Sequence, residues 1–208
     1  MLLVDDHSLV RYGLRLLINN EFPDAFIDEA ENEDECLAKI KLFPFDLVLL
    51  DLNMPDSDPF NIVQFINQNC PQTKTLIITM SSEESYAYRF FQEGVMGFIN
   101  KSSTNERLLS AIKLVMSGRK YISENLTRIL AEKQIKKEIN NPFDLLTKRE
   151  FQIALGLIGG KTIQEISLSL SISSSTVSTY KGKIYEKLSI ANHNLSQLIQ
   201  LAKDNNVT

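Results

Sequence analysis

The chain has 208 residues, 43% hydrophobic and 23% charged, with 22 Lys+Arg against 26 Asp+Glu for a formal net charge of −4. This excludes a disordered chain, a disulfide scaffold and a collagen-like repeat, and allows one large domain or two small ones. Apolar runs are strand-sized, no basic segment precedes an apolar signal core, and Cys36 and Cys70 are far from any C-x-x-C spacing, so the expected setting is a reducing cytoplasm with no membrane span, disulfide or zinc site.

In chain order, short apolar runs alternate with segments of helical period. Leu2–Val4, Phe26–Ala30, Leu47–Leu50, Thr75–Thr79 and Gly97–Asn100 read as strands. Ser8–Asn19, Glu33–Phe43, Phe60–Asn69, Glu83–Glu93 and Thr104–Ser117 read as the helices between and after them. Five strands each followed by a helix predict right-handed crossovers and a doubly wound α/β domain over residues 1–118. Residues 119–144 hold six Lys+Arg and end near Pro142, and are expected to be a partly helical linker. Beyond them strand-like alternation stops. Thr147-x-x-Glu150 and Thr162-x-x-Glu165 have the capping-box pattern, and helices are predicted near 147–158, 162–169, 174–187 and 192–204. The two joined by Ser171-Ile172-Ser173 have helix-turn-helix dimensions, so residues 145–208 are expected to form a small all-α four-helix domain.

The charge divides with the pattern. Residues 1–118 carry 9 basic and 18 acidic groups, 119–144 carry 6 and 4, and 145–208 carry 7 and 4, giving balances of −9, +2 and +3. An acidic front and a basic rear point to different partners.

Ligands of a doubly wound sheet bind at the carboxyl ends of its strands. Asp5 and Asp6 follow the first strand and Asp51 ends the third. Three clustered carboxylates repel one another unless a cation sits among them, and oxygen-only ligands with room for water and phosphate favour Mg²⁺. Thr79 and Lys101 end the fourth and fifth strands, where a hydroxyl and an ammonium would serve a phosphoryl group. His7 is read as a helix N-terminal loop residue rather than a ligand.

LLVDDH, LVLLDLNMP, LIITMS and GVMGFINKS together resemble the receiver domain of two-component response regulators, a flavodoxin-like (βα)5 fold. That resemblance implies that Asp51 accepts a phosphoryl group from a sensor histidine kinase. It implies that Asp6, Asp51 and the Asn53 backbone carbonyl bind Mg²⁺ with Asp5 acting through water, that Thr79 moves toward the phosphate, that Lys101 pairs with it, and that Phe98 rotates inward. Two positions depart from the pattern. Pro59 stands where the family has a glycine, so the loop beside Asp51 is expected to differ in shape, since proline cannot take positive φ. Ser102 follows Lys101 where many receivers have a cis-linked proline.

The rear sequence, LTKREFQIALGLIGGKTIQEISLSLSISSSTVSTYKGKIYEKL and onward, resembles the LuxR-type helix-turn-helix of NarL/FixJ regulators, with stretches similar to the BvgA/EvgA branch. Ile163, Ile166 and Leu170 are spaced to pack against Val177, Ile184 and Leu188. That leaves Ser178, Thr179, Lys181, Gly182 and Lys183 outward. Ser178 and Thr179 are expected to face bases, and Lys181 and Lys183 to neutralise phosphates with Lys161, Thr162 and Tyr180 in support. Gly160-Lys161-Thr162 imitates a P-loop, but position 155 is leucine and the context is helical, so a helix C-cap is expected.

The resulting expectation is a phosphorylation-controlled transcription factor that dimerises and binds promoter DNA, and not an enzyme. A haloacid-dehalogenase-like phosphohydrolase would need D-x-D-x-T after the first strand, where this chain reads DDHSL. The remaining alternative is an atypical receiver that dimerises and binds DNA without phosphorylation.

Overall fold

The computed structural model describes residues 1–128, 141–191 and 194–207, and the chain divides into two compact units, Met1–Thr127 and Arg128–Thr208.

In the first unit the strands β1 (Leu2–Val4), β2 (Asp28–Ala30), β3 (Leu47–Leu50), β4 (Lys74–Thr79) and β5 (Gly97–Asn100) form one parallel sheet in the order β2-β1-β3-β4-β5. The helices α1 (Ser8–Glu21), α2 (Glu33–Leu42), α3 (Pro59–Asn69), α4 (Glu83–Gln92) and α5 (Asn105–Met116) alternate with them. All four residues of β3 are buried, as expected of a strand covered on both faces. Its alternation divides the core. Leu47 and Leu49 pack in one cluster with Ile18 of α1 and Leu108, Ala111, Ile112 and Val115 of α5. On another side Phe60 and Phe90 stack at 4.2 Å between ring centroids. Full burial stabilises each such side chain by roughly 1.5–3 kcal/mol.

β2 starts at Asp28, not at the expected Phe26. Its partner begins at Leu2, which pairs with Asp28, so the sheet offers Phe26 no ladder. Phe26 is instead 66% exposed and stacks on Phe45, and the Met1 amino group donates to its carbonyl at 2.6 Å.

Part of the expected linker is packed. Tyr121 makes a parallel bridge with Gly97 and donates its N–H to the Met96 carbonyl at 2.8 Å, residues 124–128 are helical, and Leu126 is buried. Pro142–Leu145 forms a 3-10 turn, with Phe143 buried against the edge of Phe151. Expected linker positions 129–140 lie outside the described residues.

The second unit contains α6 (Lys148–Ile158), α7 (Ile163–Ser169), α8 (Ser174–Lys187) and α9 (Leu195–Asp204). Thr147 and Thr162 close capping boxes with Glu150 and Glu165. Gly159 caps α6 and Gly160 follows at φ +80°, the helix ending expected in place of a P-loop. Gly156 allows α6 and α7 to approach, because a Cβ there would lie 2.9 Å from Ile166 Cγ1. Ile166, Val177, Ile184 and Leu188 are buried as the spacing predicts, whereas Ile163 and Leu170 are only half-buried at the ends of short α7. The last helix starts after its Asn194 cap; positions 192 and 193 lie outside the described residues.

Candidate functional site

Adjacent strands β1 and β3 deliver the acidic centre. Asp51 extends their ladder, donating its N–H to Val4 O at 2.8 Å, and Asp5 donates to Ala30 O at 3.1 Å. Both side chains are buried. Lys101, just beyond β5, is fixed by its N–H to Thr79 O at 2.9 Å, and its Nζ lies 2.5 Å from Asp5 Oδ2 and 2.8 Å from Asp51 Oδ2. Burial alone would lower the Lys101 pKa, but these two carboxylates outweigh it and hold the ammonium above its ordinary value. The other Asp51 oxygen accepts the Leu52 N–H at 2.7 Å.

Asp6 is half-buried beside them, and His7 Nδ1 lies 2.7 Å from Asp6 Oδ1 and 3.3 Å from Asp5 Oδ1. His7 is the N-cap residue of α1, as expected of a loop position, yet its ring belongs to the cluster: one ligand atom each from Asp5, Asp6, His7 and Asp51 lie within 4.8 Å of one another. The three carboxylates of this group fit a hard divalent cation, whereas an imidazole nitrogen suits softer metals. Arg11 supports the centre from α1, donating Nη1–H to the Asp5 carbonyl at 2.6 Å while its Nε pairs with Glu29. Neither role is visible in the DDH motif.

Thr79 is fully buried, and its hydroxyl oxygen accepts the Ser81 N–H at 3.2 Å. Ser81 is buried too, and its hydroxyl donates to Asn53 Oδ1 at 3.0 Å, tying the strand ends of β3 and β4. Phe98 is fully buried, so the inward rotation expected of it has no outward starting point in this structure.

The departure at Pro59 is accommodated by relocation. Pro59 opens α3 behind its Asp58 cap, a position where a fixed φ and a missing N–H are harmless. The positive φ is taken by Asp56 at +55°, in a turn after Pro55 in which the Ser57 N–H reaches Met54 O. A non-glycine residue in that region costs roughly 1–2 kcal/mol.

In the second unit Ser178, Thr179 and Lys183 lie exposed on α8. The two hydroxyls donate back to the Ser174 and Ser175 carbonyls, which leaves their oxygens as acceptors. Lys181 is less outward than expected: it is half-buried with Nζ 5.8 Å from the Tyr185 ring centroid, because the i+4 position holds a buried aromatic face. Lys183 lies over half-buried Tyr180 at 5.7 Å. Thr162 is exposed, with its hydroxyl bonded to Glu165, and Lys161 is half-buried beside it. Unforeseen was Lys187, whose Nζ meets buried Glu150 at 2.6 Å. The i,i+37 separation gives no sequence signal.

The family model of the response regulator receiver domain matches residues 1–113, and that of bacterial regulatory proteins of the luxR family matches residues 144–202. The chain is 35% identical over 192 residues to the response regulator GacA of Pseudomonas viridiflava, covering 92% of this chain and 90% of that one. It is 31% identical over 203 residues to the response regulator UvrY of Escherichia coli K12, covering 97% and 92%. The structure of RcsB from Salmonella enterica serovar Typhimurium bound to promoter rprA superposes with a TM-score of 0.76 at 18% identity, over 97% of this chain and 96% of that one, a likeness of fold. The matched domains, in this order and over nearly the whole chain, show that the protein belongs to the response regulators, as a DNA-binding regulator under phosphorylation control with an N-terminal receiver domain and a C-terminal luxR-family domain.

Proposed function

We propose that Asp51 is the phosphoacceptor of a cytoplasmic two-component regulator, and that a histidine of a sensor kinase is the donor. The observation that carries this reading is the Lys101 ammonium shared between the buried Asp5 and Asp51 carboxylates. A carboxylate oxygen of Asp51 attacks the phosphorus, the P–N bond to the donor imidazole breaks, and the imidazole leaves with its electron pair and takes up a proton. Lys101 then pairs with the transferred group and Thr79 offers its hydroxyl, both answering about −1.5 to −2 of added charge. Asp6, Asp51 and the Asn53 carbonyl would hold Mg²⁺, with Asp5 acting through water; when bound, that ion supplies countercharge to the phosphoryl oxygens. Residues 1–118 form the receiver, 119–144 the connection, of which 119–127 packs with the receiver, and 145–208 the DNA-binding domain. Ser178 and Thr179 face bases, and Lys181 and Lys183, with Lys161, Thr162 and Tyr180, meet phosphates of promoter DNA. A homodimer places two such surfaces on one duplex. Among the described residues no helix is long and apolar enough to cross a membrane.

The test is phosphoryl uptake from acetyl phosphate with Mg²⁺. The parent incorporates one phosphoryl group and Asp51→Asn none, whereas equal incorporation overturns the assignment. The buried Phe98 favours one further reading, a receiver that dimerises without phosphorylation. Size-exclusion chromatography with and without beryllofluoride separates the two, since a mass that stays at the dimer value in both supports the constitutive dimer.

A further inference from the structure

The loop between β3 and α3 carries Asn53 and the edge of the acidic centre, and it is gripped from a helix that holds none of the expected site residues. Glu33, the first residue of α2, accepts the Asp58 N–H on Oε2 at 2.6 Å and the Asn61 side-chain amide on Oε1. Its own N–H donates to Ser57 Oγ at 3.2 Å, and that hydroxyl donates to Pro55 O at 3.2 Å. One residue of α2 thus holds the C-terminal side of the turn in which Asp56 takes positive φ, and reaches its start only through the Ser57 hydroxyl.

This grip matters because the turn lacks the residue that would make it self-sufficient. With proline at 59 and aspartate at 56 no glycine lies between Asp51 and Asp58, so the left-handed conformation carries a cost of roughly 1–2 kcal/mol that contacts from outside the turn help to offset. Four residues separate Asn53 from Asp58, and Ser57 ties back to Met54, the neighbour of Asn53, through its N–H to Met54 O at 3.4 Å, so a displacement at Ser57 and Asp58 is passed toward Asn53. Glu33 and Asn32 also line, with Asp6, Pro55, Asp56 and Ser57, a cleft of about 490 Å³ next to the acidic centre. No sequence motif marks Glu33, which lies 18 residues before Asp51 on another element.

We infer that Glu33 is a positioning residue of the phosphoacceptor site: through Asp58, Asn61 and Ser57 it fixes the turn so that the Asn53 carbonyl is held at the place where Mg²⁺ binds. This rests on the reading of Asp51, Asp6 and Asn53 as the metal site. Removing the carboxylate releases the turn while leaving every proposed ligand residue unsubstituted. Glu33→Gln keeps one acceptor oxygen for the Asp58 N–H and loses the charge, so it rescues if the hydrogen bond to the turn is what counts.

The experiment is a Mg²⁺ titration of the full-length protein, followed by amide NMR and by calorimetry, on the parent, Glu33→Ala, Glu33→Gln and Asp51→Asn. Supporting partners of metal sites commonly change affinity 10–100-fold, and for one carbonyl among several ligands the low end applies. Glu33→Ala is expected to weaken Mg²⁺ binding about tenfold and to speed hydrogen exchange at the Asp58 amide, with Glu33→Gln recovering most of both. Retained amide dispersion away from residues 52–61 shows that the variant is folded. Unchanged Mg²⁺ affinity in a folded Glu33→Ala overturns the inference, as does a loss that Glu33→Gln fails to rescue. If the parent itself binds no Mg²⁺, or Asp51→Asn binds it equally well, the metal-site reading fails first.

Discussion

Replacing Lys187 by methionine tests how the second unit is held. The methionine keeps most of the side-chain length and removes the ammonium 2.6 Å from Glu150 Oε2. The Glu150 side chain is 4% exposed and that of Lys187 37%. Breaking a fully buried pair costs about 3–5 kcal/mol. Here the lysine is solvated, and the carboxylate keeps the Thr147 N–H at 2.8 Å, so roughly 1–2 kcal/mol is the reasoned loss, a factor of about 5–30 in the opening constant of α6 and α8. Native-state hydrogen exchange of their amides in the intact chain measures it. The loss also has a required pH dependence. Burial pushes the Glu150 carboxyl up, but Lys187 and the Thr147 backbone outweigh this and hold it below its ordinary value of 4.5. A depressed carboxyl contributes stability that is present above the unfolded value and disappears as pH falls through the folded one. Parent and variant therefore differ at pH 7 and converge below pH 4.5. Equal opening constants at pH 7 would refute the reasoning. A gap that persists unchanged into acid would assign the loss to the packing of the lysine stem instead.

Other predictions follow from single contacts. Cys36 is fully buried and its thiol is pushed up to about 12 by desolvation and then by Glu33, whereas Cys70 is half-buried, so iodoacetamide at pH 8 should modify Cys70 alone in the native protein; mass spectrometry showing alkylated Cys36 would contradict the burial. Gly97→Ala would place a Cβ 2.7 Å from Leu76 Cδ1 and 3.1 Å from Tyr121 Cβ, and should cost about 1–3 kcal/mol in urea unfolding. Gly182→Ala meets nothing within 4 Å inside α8 and should instead stabilise by up to about 1 kcal/mol. Lys183→Ala should weaken binding to every duplex and reduce the magnitude of the log K against log salt slope by about 0.9; an unchanged slope would remove it from the phosphate contacts.

Much of this molecule was legible because strands buried on both faces leave apolar runs too short for anything else. β3 and β5 coincide with Leu47–Leu50 and Gly97–Asn100 to the residue. Boundaries failed where long-range pairing decides them: Phe26 has a strand-like side chain but no neighbour to pair with, and Tyr121 finds one in Gly97 across the fold. Composition presented residues 119–127 as charged connection, yet one buried leucine, Leu126, and one backbone bridge make them part of the first unit. At the centre Asp5, Asp51, Thr79 and Lys101 stood at strand ends, where topology brings them together. Ser81, Arg11 and Glu33 act through hydrogen bonds to neighbouring elements, and such bonds have no period or spacing to be read.

The α8 surface has a consequence for how such a protein changes over time. Ser178, Thr179 and Lys183 are exposed and Gly182 has open space above it, while the packing of α8 rests on Val177, Ile184, Tyr185 and Leu188 on the other side. Substitutions at exposed positions away from caps and cores usually move stability by less than about 0.5 kcal/mol. On the reading proposed for Ser178, Thr179 and Lys183, two alphabets are therefore interleaved on one helix, one spelling the fold and the other the operator. The second can be rewritten one letter at a time with every intermediate still folded, so a lineage can exchange target promoters without first acquiring a stabilising mutation elsewhere.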